Sequence, residues 1–239
     1  MNIEALLEAS YMNAIRRFLQ ENKREYDGRI HVSHVLQCLR RSYYEIKTPP
    51  ETVPNFNLFI GIGIHELIEA ILVRELSEYC GMIRNVYYEV EVSNGVCVGT
   101  PDLIIEFDDY RVVVDLKTTK YNLPNSKNKF AEKMLEKYIM QTVAYVHMTN
   151  SDFGILMFIK RQNGKPKFFR VERNDSIYRE VISRCKKLKR ALELDEEPEG
   201  EPDVFCEPYI DPKTGEKRGG CPFYSSCPYV RKLVKHEWW

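Results

Sequence analysis

The chain has 239 residues, with 35 basic and 35 acidic side chains, so its formal charge is zero. This length suits one domain with an elaboration or two small domains, and 44% apolar content supplies a core without disulfides. A neutral total does not advertise nucleic-acid binding. No apolar run approaches the roughly 18 residues of a membrane helix, and Met1-Asn2-Ile3-Glu4 lacks a signal-peptide layout. A cytoplasmic protein with no membrane partner is expected.

Ile3, Leu6, Leu7, Ala14, Ile15, Phe18 and Leu19 fall at helical spacing over residues 2–20. Residues 21–32 are polar and read as a loop. Ser33 is the expected N-cap of a helix running to about Ile46, which Pro49 and Pro50 end. Asn57 to Tyr79 is a second long helix stopped by Gly81. Gly61 and Gly63 in its first turns cost about 1 kcal/mol each against a helix former, and they allow another backbone or a ligand to come close. Strands follow at Val86 to Val92 and Val96 to Val98 around an Asn94-Gly95 turn. Leu103 to Phe107 and Arg111 to Lys117 read as an antiparallel hairpin across Asp108-Asp109.

Phe130 to Met148 is a helix in which Gln141 and Tyr145, four apart, share a face. A further hairpin joins Phe153–Lys160 to Lys167–Val171 around Asn163-Gly164. Ile177, Val181, Cys185, Leu188 and Leu192 then form one helical stripe. Glu193 to Asp203, with seven acids and no base, reads as a linker. The order predicts an α/β protein with a mixed sheet flanked by helices. Its regions are an N-terminal helical region over 1–56, a core over 57–195 and a cysteine-bearing segment over 196–239.

The hairpin carries the chemistry. Alternation sends Asp115 and Lys117 to one face and Leu116 to the other. A turn near Asp109 sets Asp102 beside Asp115 on the neighbouring strand. Carboxylates this close repel and become tolerable around a divalent cation. Mg²⁺ takes one or two carboxylates plus water and substrate phosphate, a role for Asp102 and Asp115 with the Leu116 carbonyl. His65 is a further ligand, better suited to Mn²⁺. Lys117 is placed to handle the attacking water or charge on phosphate. Singly, each residue has a plainer role, as a solvated strand edge, a core histidine or a helix surface. The set points to phosphodiester hydrolysis.

Of seven cysteines, Cys80, Cys97 and Cys185 sit at a helix end, in a strand and on an apolar stripe, and read as structural. Cys38, Cys206, Cys221 and Cys227 remain. Four thiolates suit Zn²⁺ or an Fe–S cluster, and their spacing does not choose between them.

Gly61-x-Gly63-x-His65, Gly99-Thr100-Pro101-Asp102, Asp115-Leu116-Lys117 and Gln141-x-x-x-Tyr145 together resemble the RecB-like branch of the PD-(D/E)XK nucleases. The resemblance implies a restriction-endonuclease-like core in which His65, Asp102 and Asp115 ligate metal. Lys117 would handle water or phosphate, and Gln141 and Tyr145 would position substrate or lysine. One early cysteine in Ser33-x₄-Cys38-x₄-Tyr43 and three late ones resemble the CRISPR-associated RecB-like exonucleases, the fourth protein family of the Cas series. That likeness implies a cluster, usually [4Fe–4S], held by Cys38, Cys206, Cys221 and Cys227 and clamping the N-terminal helix to the C-terminal segment.

Two features depart from the family. Fourteen residues separate Cys206 from Cys221 where the family has Cys-x-x-Cys, and Leu39 stands where proline is common. The expected function is a Mg²⁺- or Mn²⁺-dependent exonuclease on single-stranded DNA or DNA ends, in CRISPR spacer acquisition beside an integrase complex. Arg40, Arg41 and Lys120 are expected to hold backbone phosphate, and Tyr43 and Tyr44 to stack on bases, with at least one of the two packing against the core instead. Two other readings are a RecB-like nuclease of repair or viral replication, and a non-catalytic cluster- or zinc-bearing DNA-binding subunit.

Overall fold

Runs rich in Val, Ile and Phe between residues 85 and 172 form the strands at the centre of the protein, as β-branched and aromatic residues favour. The computed structural model describes residues 3–22, 26–50, 55–79, 81–119, 121, 123, 128–210, 217–218 and 220–229. In chain order, α1 (Ile3–Glu21) precedes a 3₁₀ turn at Val32–Val35, α2 (Leu39–Lys47) and α3 (Phe56–Ser77). Then come β1 (Asn85–Tyr88), β2 (Val92–Ser93), β3 (Val98–Gly99), β4 (Leu103–Glu106) and β5 (Arg111–Thr119). The chain continues through α4 (Lys129–Met148), β6 (Phe153–Lys160), β7 (Pro166–Glu172) and α5 (Asp175–Leu194) to a small pair, β8 (Tyr209–Ile210) and β9 (Lys217–Arg218).

The main sheet has the order β1-β4-β5-β6-β7. Only β5 and β6 run parallel, with Lys117 opposite Phe158, and α4 is the crossover between them. The sheet is therefore mixed, as the element order predicts. On one face, Leu103, Ile105, Val112, Val114 and Leu116 pack against Ile68, Leu72, Val73 and Leu76 of α3. On the other, Ile104 and Val113 join Ala144 and Val146 of α4 and Cys185 and Leu188 of α5. Val32, Val35, Leu39 and Tyr43 belong to that same buried cluster, so the N-terminal region shares the core.

Three sequence expectations need correction. First, the helix expected from Ser33 begins at Leu39, with Cys38 at its N-cap and no side-chain cap from that residue. The first free N–H of the helix, that of Leu39, instead donates to Glu201 Oε2 at 2.8 Å. A carboxylate at a helix N-terminus satisfies an orphan donor and complements the macrodipole, and here it comes from far along the chain.

Second, Glu193 to Asp203 is not a free linker. Asp195 meets Lys47 Nζ and the Tyr43 hydroxyl, each at 2.7 Å, and Glu197 pairs with Arg40. Glu201 pairs with Arg184 at 2.5 Å, and Asp203 lies 3.5 Å from Lys137 Nζ. The stretch is a strap in which Asp195, Glu197, Glu201 and Asp203 each meet a base on a helix.

Third, α3 is long and apolar enough to cross a membrane by length and composition. Its Phe56, Leu58, Leu67 and Ile71 are exposed. Its Ile68, Leu72, Val73 and Leu76 pack on the sheet, so it stands as a layer of the α/β fold. α1 is anchored only near its end, where Ile15 and Leu19 are buried and the Phe18 ring meets Phe59 at 5.1 Å.

Arg184 closes the strap most tightly. Its guanidinium donates to the carbonyls of Val35 and Gln37 at 2.7 Å each and to both Glu201 oxygens. Charge-assisted bonds of this kind contribute about 1.5–3 kcal/mol each, not additively. Arg184→Ala is expected to lower stability by about 2–3 kcal/mol, read as a lower urea midpoint. An unchanged midpoint would show the strap to be loosely held.

Candidate active site

The β4–β5 register pairs Leu103 with Val114, so Asp102 and Asp115 follow as neighbours at the open end of the hairpin, as its predicted turn requires. Asp115 is 1% exposed, and the Asp102 side chain is 14% exposed. The Leu116 N–H donates to Asp102 Oδ2 at 2.5 Å, which locks that carboxylate against β5. Lys117 Nζ lies 2.8 Å from Asp115 Oδ1 and 5.3 Å from the centre of the Tyr138 ring. From α3, His65 Nε2 reaches Asp102 Oδ2 at 3.3 Å. The structure thus brings His65, Asp102, Asp115 and Lys117 together. Neither glycine of α3 is required by space here: a Cβ at Gly61 would stand 3.6 Å from Thr118 Oγ1, an ordinary contact, and Gly63 faces open space.

α4 supplies the remaining wall. Gln141 Nε2 donates to the Tyr145 hydroxyl at 3.1 Å, the pairing that their i,i+4 spacing predicts. Tyr145 is 4% exposed and lies against Gly99, where any Cβ would overlap its ring. The glycine of Gly99-Thr100-Pro101-Asp102 is thus a space for Tyr145. Thr142 Oγ1 donates to the Tyr138 carbonyl at 2.9 Å and lies 3.5 Å from Asp115 Oδ2.

Burial and charge divide the titrating groups. Burial raises the Asp115 pKa to about 6, with Asp102 adding to the rise and Lys117 opposing it. For Asp102, burial raises the pKa, but the His65 hydrogen bond and Lys117 outweigh it and the net direction is down. Burial lowers the Lys117 pKa, yet Asp115 and Asp102 drive it up, so the ammonium stays charged. The Asp102 hydrogen bond raises His65 against burial. Burial first, then Asp115, lifts Tyr145 to about 12, leaving a neutral phenol.

Glu69 is the residue that sequence reasoning missed. It is 5% exposed, its Oε2 lies 3.7 Å from His65 Nδ1, and its Oε1 is buried with no partner among the described residues. The signal was present: Glu69 follows His65 by four, on the same face of a helix. Burial, then the Asp102 charge, raises its pKa to about 7.

The donor set fits a hard divalent cation. Two carboxylates of like charge stand side by side, a third buried carboxylate has an unpartnered oxygen, and a histidine borders them. Among the described residues no three of these side chains close on one point. Mg²⁺ asks for only one or two carboxylates, with water and phosphate completing its shell. Asp102, Asp115 and the Leu116 carbonyl would hold it, with His65 alongside.

The four remaining cysteines line one partly open cavity between α2, the acidic strap and the C-terminal segment. The fourteen-residue separation that set Cys206 apart is taken up by the β8–β9 pair, which returns the chain so that Cys221 N–H donates to the Cys206 carbonyl at 3.0 Å. Gly220, at φ +80°, packs where a Cβ would meet Pro208 at 2.7 Å. Two sulfurs accept backbone N–H groups, Cys38 from Glu201 at 3.3 Å and Cys206 from Asp203 at 3.4 Å. Burial raises the Cys206 thiol to about 11 and pushes Cys221 up as well. Thiols converging on one cavity, two of them already hydrogen-bonded at sulfur, fit a thiolate-held metal group, although among the described residues no three of them close on one point. Cys97 and Cys185 are buried core, as expected, and Cys80 lies outside the described residues.

The residues expected to grip DNA are differently disposed. Arg40 pairs with Glu197 and donates to the Pro198 carbonyl at 3.1 Å and the Tyr44 hydroxyl at 2.9 Å. Tyr43 is 5% exposed, with its hydroxyl on Asp195. The polar groups of both are engaged within the chain, Arg40 at the edge of the cysteine cavity and Tyr43 on Asp195. Tyr44 packs on Phe223 at 5.1 Å, and Arg41 pairs with Glu45 at 2.8 Å while keeping partial exposure. Lys120 lies outside the described residues.

The fold and this site define a nuclease class: the chain belongs to the PD-(D/E)XK nuclease superfamily, whose family model matches residues 13–228. Among solved structures, the crystal structure of SSO0001 is similar at 17% identity and a TM-score of 0.59, covering 90% of this chain and 94% of that one. An alkaline exonuclease from Laribacter hongkongensis aligns at 14% identity and a TM-score of 0.48, covering 70% of this chain and 89% of that one. A phage-related exonuclease from Haemophilus somnus aligns at 12% identity and 0.46, covering 66% and 81%. Comparison with curated proteins returns no match.

Glu69 gives a pH test. Its folded-state pKa is raised, so its ionisation penalises the folded state. That penalty is absent below the unfolded carboxyl pKa of about 4.3 and is complete above about 7. In EDTA at pH 8, Glu69→Gln is expected to raise stability by on the order of 1–3 kcal/mol, with the gain fading towards pH 4. Equal gains at both pH values in urea denaturation would show that the Glu69 charge is not the cause.

Proposed function

We propose that this protein is a Mg²⁺- or Mn²⁺-dependent DNA exonuclease that acts on single-stranded DNA or DNA ends. The observation that carries this reading is the buried pair Asp102 and Asp115 on adjacent strands, with Lys117 2.8 Å from Asp115 and His65 3.3 Å from Asp102. A divalent cation bound there would stabilise charge on the phosphoryl oxygens and lower the pKa of a bound water. The chain's own residues do the rest. Asp102, fixed by the Leu116 N–H, and the neighbouring Asp115 would supply the acceptor oxygens. Lys117, charged and confined between Asp115 and the Tyr138 ring, orients the attacking water and neutralises charge that builds on phosphate. The Gln141–Tyr145 hydrogen bond closes the α4 side, with the buried phenol packed against Gly99.

The four-cysteine cavity is the second part of the proposal. Cys38, Cys206, Cys221 and Cys227 hold an Fe–S cluster, most simply [4Fe–4S], that ties α2 to the C-terminal segment. Support comes from the shared cavity and from the sequence resemblance to the CRISPR-associated RecB-like exonucleases. That resemblance also supports a cytoplasmic role in spacer acquisition beside the integrase complex.

Asp115→Ala and Lys117→Ala are each expected to lower metal-dependent cleavage of end-labelled single-stranded DNA by at least about 10²-fold, with circular dichroism unchanged. Wild-type rates in either variant would remove the site from catalysis. Separately, protein purified without oxygen is expected to be brown and to contain iron, and Cys227→Ala to lose both. Stoichiometric zinc without iron would refute the cluster.

A further inference from the structure

Arg161 has no role in the site as described, yet it stands at the same edge. It follows β6 directly, and its N–H donates to the Thr119 carbonyl at 3.0 Å, two residues beyond Lys117 on β5. Its guanidinium reaches the first turn of α3, where Nη1 donates to the Asn57 carbonyl at 3.1 Å. Its Nε is buried and has no hydrogen-bond partner among the described residues. No carboxylate among those residues pairs with it, whereas Lys117 faces Asp115, and Lys137 and Arg184 face acids of the strap.

Tyr138, on α4, packs against this edge of the sheet. Its ring stands 5.3 Å from Lys117 Nζ and 6.1 Å from the ring of Phe158, three residues before Arg161. Burial raises the Tyr138 pKa, and Lys117 and Arg161 both pull it back down, so the phenol feels both charges.

A guanidinium that keeps an unpartnered donor and its full charge suits an anion with several acceptor oxygens, above all phosphate. Successive phosphates along a strand give one such anion per nucleotide. We propose that Arg161 binds a phosphodiester of the DNA strand next to the scissile one, so that the strand lies across Tyr138 with the scissile phosphate at Lys117. This rests on the nuclease reading above. Arg161 acts as a substrate-binding residue outside the catalytic group, and it accounts for strand grip that Arg40 and Tyr43 do not provide.

The test is the salt dependence of single-stranded oligonucleotide binding, measured by fluorescence anisotropy in Ca²⁺ for wild type, Arg161→Gln and Arg161→Lys. Losing one phosphate contact weakens binding by about tenfold and lowers the slope of log K against log salt by about one. Arg161→Gln is expected to show both changes. Arg161→Lys keeps the charge, so its slope stays at the wild-type value while affinity falls less. If Arg161→Gln does not fold, Arg161→Lys is tested against an oligonucleotide with one methylphosphonate beside the scissile bond. The neutral group is then expected to weaken wild type more than Arg161→Lys. Unchanged affinity and slope in Arg161→Gln would overturn the inference. So would weaker binding at an unchanged slope, which is what a purely structural bond to Asn57 would give. Wild-type protein that neither binds nor cleaves DNA would remove the nuclease reading itself, a failure visible without any substitution.

Discussion

Two carboxylates on adjacent strands, one of them fully buried, are the constraint around which the rest is built. Burying like charges side by side is unfavourable unless positive charge or hydrogen-bond donors surround them. Each neighbouring element contributes one such group. β5 supplies the Leu116 N–H and the Lys117 ammonium, α3 supplies His65, and α4 brings the Thr142 hydroxyl near Asp115. What remains uncompensated is informative: Asp115 is still driven up, and Glu69 keeps a buried oxygen without a partner. Strain of this kind is what a cation relieves, and it links the fold to hydrolysis.

α4 is the element that joins this site to the rest of the molecule. Tyr138, Gln141 and Tyr145 face the acids and Lys117. Lys137, one residue before Tyr138, turns the other way, lying 3.6 Å from the Phe205 ring centre and near Asp203, beside Cys206. The acidic strap completes the frame. It caps α2, holds Arg40 and Arg184, and forms part of the cysteine cavity.

The site was legible in the sequence because its determinants are local. The length of a hairpin turn fixes Asp102 opposite Asp115, and helical periodicity fixes Gln141 on Tyr145. The central sheet was legible for the same reason, since alternation and Asn-Gly turns act over a few residues. The misreadings all involve partners distant in the chain. Ser33 has the chemistry of a cap, but Glu201 supplies the cap from the strap. The strap itself has the composition of a linker, and only the fold reveals the bases that meet Asp195, Glu197, Glu201 and Asp203. Arg40 has the look of a phosphate contact until Glu197 is seen beside it. The wide Cys206–Cys221 spacing became intelligible once β8 and β9 were seen to pair. Glu69 was readable from its spacing to His65, but no local rule says that a helix glutamate will be buried.

The central claim is that Asp102 and Asp115 form one divalent-metal site with the Leu116 carbonyl. Anomalous diffraction from crystals soaked in Mn²⁺ tests it directly. The account expects a peak with oxygens of both aspartates within about 2.0–2.6 Å, lost in Asp115→Asn crystals. Full Mn²⁺ occupancy elsewhere, with Asp115 still bound only to Lys117, would contradict it.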